Sequence, residues 1–320
     1  MSIFASWLAS PPPDAAVEIA PDRISAAVLG GRGADPVVQA YAVEPLPPGA
    51  VVASLLSQNI VDAPLVTAAL RRALDKLGTR PARVALVLPD AMARVSLVRF
   101  DQVPARREDL DQLIRWQLRK AAPFPVDEAA VTFTPGARGA DGSGEFVVAM
   151  ARRPVVQEYE AVCDAAGVYA GLVDVATLSV VNLFLSAASV PAGDWLLVHM
   201  RPDYTSLAIM RGPHVIFFRT RLEGDDDTLA DLVHQTSMYY QDRLSGSGFA
   251  QVLLGGPGRV PGALEAARRS FEDRLGSIVE PIDPTRLARL TDRIGTSADL
   301  ADVLSPLLGI LLRTRQEAVA

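Results

Sequence analysis

AVEIAPDRISAAVLGG at residues 16–31 and LVHMRPDYTSLAIMRG at residues 197–212 decide the fold between them. Laid side by side, Val17 meets Val198, Pro21-Asp22 meets Pro202-Asp203, Ser25 meets Ser206 and Gly31 meets Gly212. Each stretch reads as a strand, a tight Pro-Asp turn and a returning strand. Proline presets the backbone angle of a turn's first corner, and aspartate bonds back to its own backbone. The flanks are apolar in both copies. A unit that occurs twice points to duplication, hence to two lobes of similar build with a cleft between them.

Outward from these hairpins, the hydrophobic period alternates between helix and strand, the mark of an α/β protein. Residues 64–77 read as a helix with Leu65, Val66, Ala69, Leu70, Ala73, Leu74 and Leu77 on one face, opened by Asp62 and Pro64 and stopped by Gly78. Residues 84–88 and 95–100 read as strands, 106–120 as a helix ended by Pro123-Phe124-Pro125, 146–150 as a strand, and 154–166 as a helix closed by Gly167. The second half predicts strands at 196–200, 206–211, 214–220 and 251–255. It predicts helices at 226–243, with Asp225, Asp226 and Asp227 suited to the helix dipole, at 262–275 and at 303–316. GARGADGSG at 136–144 reads as a flexible turn.

The 320 residues are 49% hydrophobic and 21% charged, a mixture that forms cores. A net charge of −6, with no long Lys/Arg block, argues against nucleic-acid binding. The single cysteine, Cys163, excludes an internal disulfide, fits a reducing compartment and reads as a buried structural thiol. The N-terminal MSIFASWLASPPP lacks the basic start of a signal peptide; its Ile3, Phe4, Trp7 and Leu8 fall at helical spacing. From Val175 to Gly193 no residue is charged, but the segment carries Thr177, Ser179, Asn182 and Pro191, so a buried helix at 175–188 is expected there.

Sequence motifs for chemistry are sparse. There is no P-loop, no G-x-G-x-x-G opening a helix after a strand, and no G-x-S-x-G elbow. His199, His214 and His234 lack metal-ligand spacing; His199 reads as a satisfied core or cleft residue and His234 as structural. No Asp/Glu pair stands out. The strongest glycine cluster is VLLGGPGRVPG at 252–262, a strand running into glycines before a helix. It reads equally as an ordinary connection or as a place where backbone approaches a ligand closely.

In this order the motifs resemble the actin-like ATPase superfamily, and within it the PilM type of pilus-assembly proteins. Ala16–Leu29 resembles the first phosphate hairpin and Leu196–Thr220 the second. RVALVLPDAMARVSLVRF and DQLIRWQLRKAAPFPVDEAAVTF, within residues 83–134, resemble the inserted subdomain, and Val252–Gly262 the adenosine motif. The implied fold is an actin-like (ribonuclease H-like) two-lobed α/β fold with a PilM-type insertion. Residues 1–13 would be a tail, 14–82 and 146–194 the first lobe, 83–145 the insertion, and 195–320 the second lobe with a small helical part near 225–248.

The chain departs from the family where nucleotide chemistry lies. Glu18-Ile19-Ala20 and Pro21 stand where the family carries Asp-Ile-Gly and small hydroxyl residues, and Ser25 stands near its lysine. His199-Met200-Arg201 replaces a second Asp-x-Gly. Glycine lets N–H groups close around phosphate and proline removes a donor. Gly255, Gly256 and Gly258 persist as a residual adenosine niche. The resemblance therefore implies no cofactor, or only weak Mg-ATP binding, and a pseudo-ATPase without catalytic or metal-binding residues. It implies a cytoplasmic platform protein, peripheral to the inner membrane through its partners. Those partners would be a PilN-like bitopic protein, held by its N-terminal tail in a groove between residues 14–30 and 83–135, and other pilus platform or motor components. The alternatives are an active ATPase of the same type and a cytoplasmic GspL-like component of a type II secretion system.

Overall fold

The computed structural model describes residues 12–31, 36–186, 193–224, 228–256, 262–291 and 298–319. A hairpin of β1 (Ala15–Ile19) and β2 (Arg23–Gly30) continues into β3 (Val37–Pro45), α1 (Ala63–Lys76) and β4 (Arg83–Leu88). There follow β5 (Ala93–Phe100), α2 (Arg107–Leu118), β6 (Ala129–Arg138) and β7 (Gly144–Arg152), then α3 (Arg153–Ala166), β8 (Tyr169–Val175) and α4 (Ala176–Leu185). The second half runs β9 (Asp194–Met200), β10 (Tyr204–Arg211), β11 (His214–Leu222), α5 (Leu229–Leu244), β12 (Gln251–Gly255), α6 (Ala263–Leu275), β13 (Val279–Pro281), β14 (Arg289–Leu290) and α7 (Ala298–Val319).

Three sheets result, in the orders β14-β3-β2-β1-β4-β8, β11-β10-β9-β12-β13 and β5-β7-β6. The repeat read from sequence is repeated in register. Glu18 pairs with Ser25 as His199 pairs with Ser206. Val17 pairs in parallel with Leu86 as Val198 pairs with Leu254.

Alternation along the strands sorts side chains into layers. Val17 and Ile19 join Leu70, Leu74, Tyr159 and Cys163 in a core beneath α1 and α3. Ala16, Ala85 and Val87 face the other way. They meet Trp195, Leu197 and Met210 of the second sheet through α4 and α7, which lie between the two sheets with Val180, Leu183, Leu304, Leu308 and Leu311. Leu196, Val198 and Ile209 close a third core with Val233, Tyr240 and Phe271 of α5 and α6. The two lobes thus share a central helical layer.

Local chemistry starts and stops these helices. The Asp62 carboxylate accepts from Leu65 N at 3.0 Å and Pro64 sits in the first turn, while Gly167, at φ +88°, ends α3 in the left-handed region. Helix α5 begins at Leu229, later than the predicted 226, because Thr228 and Asp231 form a capping box. The acidic run 225–227 lies outside the described residues, as do Ile3, Phe4, Trp7 and Leu8.

Boundaries also differ from the expected ones. The inserted sheet spans Ala93 to Arg152 rather than 83–145, because β4 pairs with β1 and β8 in the first sheet while β7 pairs with β5 and β6. In the segment expected to form the second lobe, β14 pairs in parallel with β3 of the first sheet. Among the described residues, no helix is long and apolar enough to cross a membrane.

Candidate functional site

The two hairpin turns face each other across the cleft. Each closes through the same bond: Ala20 N–H donates to Arg23 O at 2.9 Å, and Arg201 N–H donates to Tyr204 O at 2.8 Å. Pro21 and Pro202 contribute no N–H at all.

Charge fills the space between the turns. The Glu18 carboxylate receives Arg201 from the opposite hairpin, Nη2 to Oε1 at 2.9 Å, and Arg23 from its own, Nη2 to Oε2 at 3.6 Å. All three side chains are 2% exposed. Arg23 Nε also donates to Ser25 Oγ at 3.1 Å. A second network ties α4 to the second sheet. Asp90, just after β4, accepts Thr177 N–H at 3.0 Å and the Ser206 hydroxyl at 2.5 Å. Thr177 Oγ1 lies 2.7 Å from His199 Nδ1. Asp90 thereby places a carboxylate at the N-terminus of α4, where the helix dipole favours it.

Burial sets the protonation of these groups. It pulls His199 well below the usual imidazole range, helped by the Arg201 and Arg23 cations, so the ring is neutral at neutral pH. It raises Asp90 against the hydrogen bonds from Ser206 and Thr177, and raises Asp203 to about 6. His199 is the satisfied cleft histidine that its sequence implies. His234 is not a structural residue: it sits on the exposed face of α5.

Gly256 has φ +105° and donates its N–H to Asp302 of α7 at 2.8 Å. A Cβ there would overlap the Met200 carbonyl oxygen, and one on Gly255 would overlap Ile282. Packing therefore requires the glycine at 256, where the obstacle is backbone, whereas at 255 the obstacle is the movable end of the Ile282 side chain. Gly258 lies outside the described residues. Pro21 and Pro202 thus bring no N–H to the cleft and the Gly256 N–H is committed to Asp302, while the buried Arg201 Nη1 has no hydrogen-bond partner. Among the described residues, no three His, Cys, Asp or Glu side chains are placed to hold a metal ion.

A second region is the seam between the first lobe and the inserted sheet. The sheet packs one face on α2 through Leu110, Ile114 and Leu118 against Phe146 and Val148. Its Leu97 and Val147 face the central layer, in the same core as Phe218 of β11. At the seam, Arg152 Nη1 donates to Leu56 O at 2.9 Å and Arg153 Nη2 to Ala129 O at 2.9 Å. The Glu158 carboxylate accepts Asn59 N–H at 2.8 Å and Ile60 N–H at 2.9 Å. These bonds hold an irregular segment, closed by a bridge between Val51 and Ile60, with Val52, Leu56 and Val61 exposed. Residues 14–30, expected to line a groove here, are almost entirely buried, since β1 and β2 are central strands covered on both faces. Segment 51–61 replaces them as the lobe's surface at the seam. Its only sequence signal is apolar residues without a period.

The model of the type IV pilus assembly protein PilM family matches residues 16–243, both hairpins and the insertion included. The chain belongs to that family. Among solved structures, a PilM-PilN type IV pilus biogenesis complex is similar with a TM-score of 0.80 at 17% identity, over 97% of this chain and all of that one. The cytoplasmic domain of EpsL from the type II secretion system of Vibrio cholerae gives 0.48 at 11% identity, over 95% and 94% of the two chains. The ethanolamine utilization protein EutJ from Carboxydothermus hydrogenoformans gives 0.48 at 14%, over 95% and 90%. The fold is the actin-like two-lobed one, and Glu18, Pro21, His199 and Arg201 of this PilM-family chain stand at its two facing hairpins.

Proposed function

We propose that this PilM-family chain is an actin-like scaffold of type IV pilus assembly that holds the N-terminal cytoplasmic tail of a PilN-like bitopic protein and does not turn over ATP. In this reading it lies on the cytoplasmic side of the inner membrane through its partner, where other platform or motor components meet it. The observation that carries the partner reading is the seam. Val52, Leu56 and Val61 are 50%, 48% and 60% exposed, yet the segment that carries them is held by Arg152 at Leu56, by Glu158 at Asn59 and Ile60, and by the Val52–Asn59 and Val61–Ala50 backbone bonds. Apolar anchors on a preset backbone suit a short extended or helical peptide. The similar structure described as a PilM-PilN complex supports the choice of a PilN-like partner. The buried Glu18–Arg201 pair supports the pseudo-ATPase reading, because polyphosphate would have to enter where the cation is already neutralised.

A fluorescence-polarisation titration with a labelled N-terminal peptide of a PilN-like protein tests this. Binding is expected without nucleotide, unchanged by Mg-ATP, and about tenfold weaker for Leu56→Asp, as for loss of an apolar anchor. No binding under either condition sinks the partner reading. Phosphate release from Mg-ATP above the buffer rate sinks the pseudo-ATPase reading.

A further inference from the structure

We propose that Glu18 and Arg201 form a built-in clasp that ties the two lobes directly to each other across the cleft. The pair joins the first hairpin to the second: Glu18 belongs to β1, and Arg201 directly follows β9. Both side chains are 2% exposed, and Glu18 Oε1 lies 2.9 Å from Arg201 Nη2. Glu18 is flanked on its own side by Arg23, whose Nε donates to Ser25, so a second buried cation lies 3.6 Å behind the carboxylate.

Three further polar ties cross in the same direction. Ser206 of β10 donates to Asp90 after β4, His199 of β9 meets Thr177 of α4, and Gly256 after β12 donates to Asp302 of α7. Each links the second sheet to an element that packs on the first sheet or on the shared helical layer. The clasp is the one among these four that pairs full opposite charges away from water. In such a setting the charges attract strongly, and losing one partner strands the other.

A cleft closed by a ligand opens when the ligand leaves. A cleft closed by its own side chains stays shut, and its two hairpins resist exchange as one unit. Arg201 therefore does inside the chain what a bound molecule touching both lobes would otherwise do. The closed arrangement becomes the resting state, and any partner on the outer surface meets lobes in fixed relation. This inference is independent of the peptide reading, whose titration reports neither lobe closure nor hairpin exchange.

Hydrogen–deuterium exchange on the full chain tests the clasp. In the wild type, residues 18–25 and 199–206 exchange slowly without ligand. Glu18→Gln leaves the Arg201 charge buried without its counter-ion, so both segments speed up together by about tenfold or more, while α3 and β8 keep their rates. If that variant does not fold, the E18Q/R201M pair removes the tie without stranding Arg201; both segments still speed up together if the pair is what holds the hairpins to each other. Unchanged exchange overturns the proposal, and so does acceleration confined to one hairpin. Small-angle scattering adds a second readout. The wild type keeps its radius of gyration on adding Mg-ATP; contraction would show that a ligand does the closing and would overturn the clasp.

Discussion

Gly309→Ala is expected to destabilise the protein, against the usual direction of glycine replacement within a helix. Gly309 sits in α7 where it crosses α4. A methyl group added there would overlap the Ser179 carbonyl oxygen and lie 2.6 Å from its carbonyl carbon and 3.1 Å from Leu183 N. Ordinary contact begins at 3.4 Å, and every obstructing atom is backbone, so no side-chain rotation relieves the clash. The two helices must part. They form the layer shared by both sheets, and Val180, Leu183, Leu304 and Leu308 would lose packing together. Helix propensity favours alanine by about 1 kcal/mol. Overpacking costs about 1–3 kcal/mol, with the upper end appropriate for backbone against backbone. The net is a loss of about 2 kcal/mol, or a fall in Tm of about 3 °C for a chain of 320 residues. Urea unfolding followed by the fluorescence of buried Trp195 reads this directly. An unchanged or raised midpoint would refute the close crossing of α4 and α7.

Gly256→Ala combines φ +105° with overlap on Met200 and should cost at least about 2 kcal/mol in a thermal melt with no nucleotide present; an unaltered melt would show that packing does not require the glycine. Asp174 makes a 3.0 Å ion pair with Arg313, but burial still holds its carboxyl up at about 6. The folded chain keeps protons on Asp174 and Asp203 that the unfolded chain releases, so their contribution to stability falls as pH rises from 3.8 to about 6. Neutral His199 acts with the opposite sign over that range, so the difference between wild type and Asp174→Asn isolates Asp174. The variant's unfolding midpoint should fall less between about pH 4.5 and about pH 6 than that of the wild type; parallel curves would contradict the shift. Cys163 is fully buried and its thiol is pushed up to about 12, first by burial and then by Asp164 and Glu160. A thiol reagent should label the native chain only as fast as it opens, whereas prompt stoichiometric labelling would place the thiol at the surface.

The sequence by itself determined the duplication. Pro21-Asp22 and Pro202-Asp203 set two equal turns, and the apolar flanks set equal registers, because turn chemistry and side-chain alternation act over a few residues. Helix starts at Asp62 and ends at Gly167 were legible for the same local reason. The departures at Glu18, Pro21 and His199 could be named as well, but not what replaces the missing donors. Glu18 and Arg201 are 183 positions apart in the chain, and no period or spacing links them. Asp90 reads as one acid among many until the fold brings it to Thr177 and Ser206. Residues 14–30 look available as a groove wall until strands on both sides and helices above and below cover them. Long-range burial decides these matters, since it sets which charges lose water and must find each other. That choice belongs to the tertiary structure.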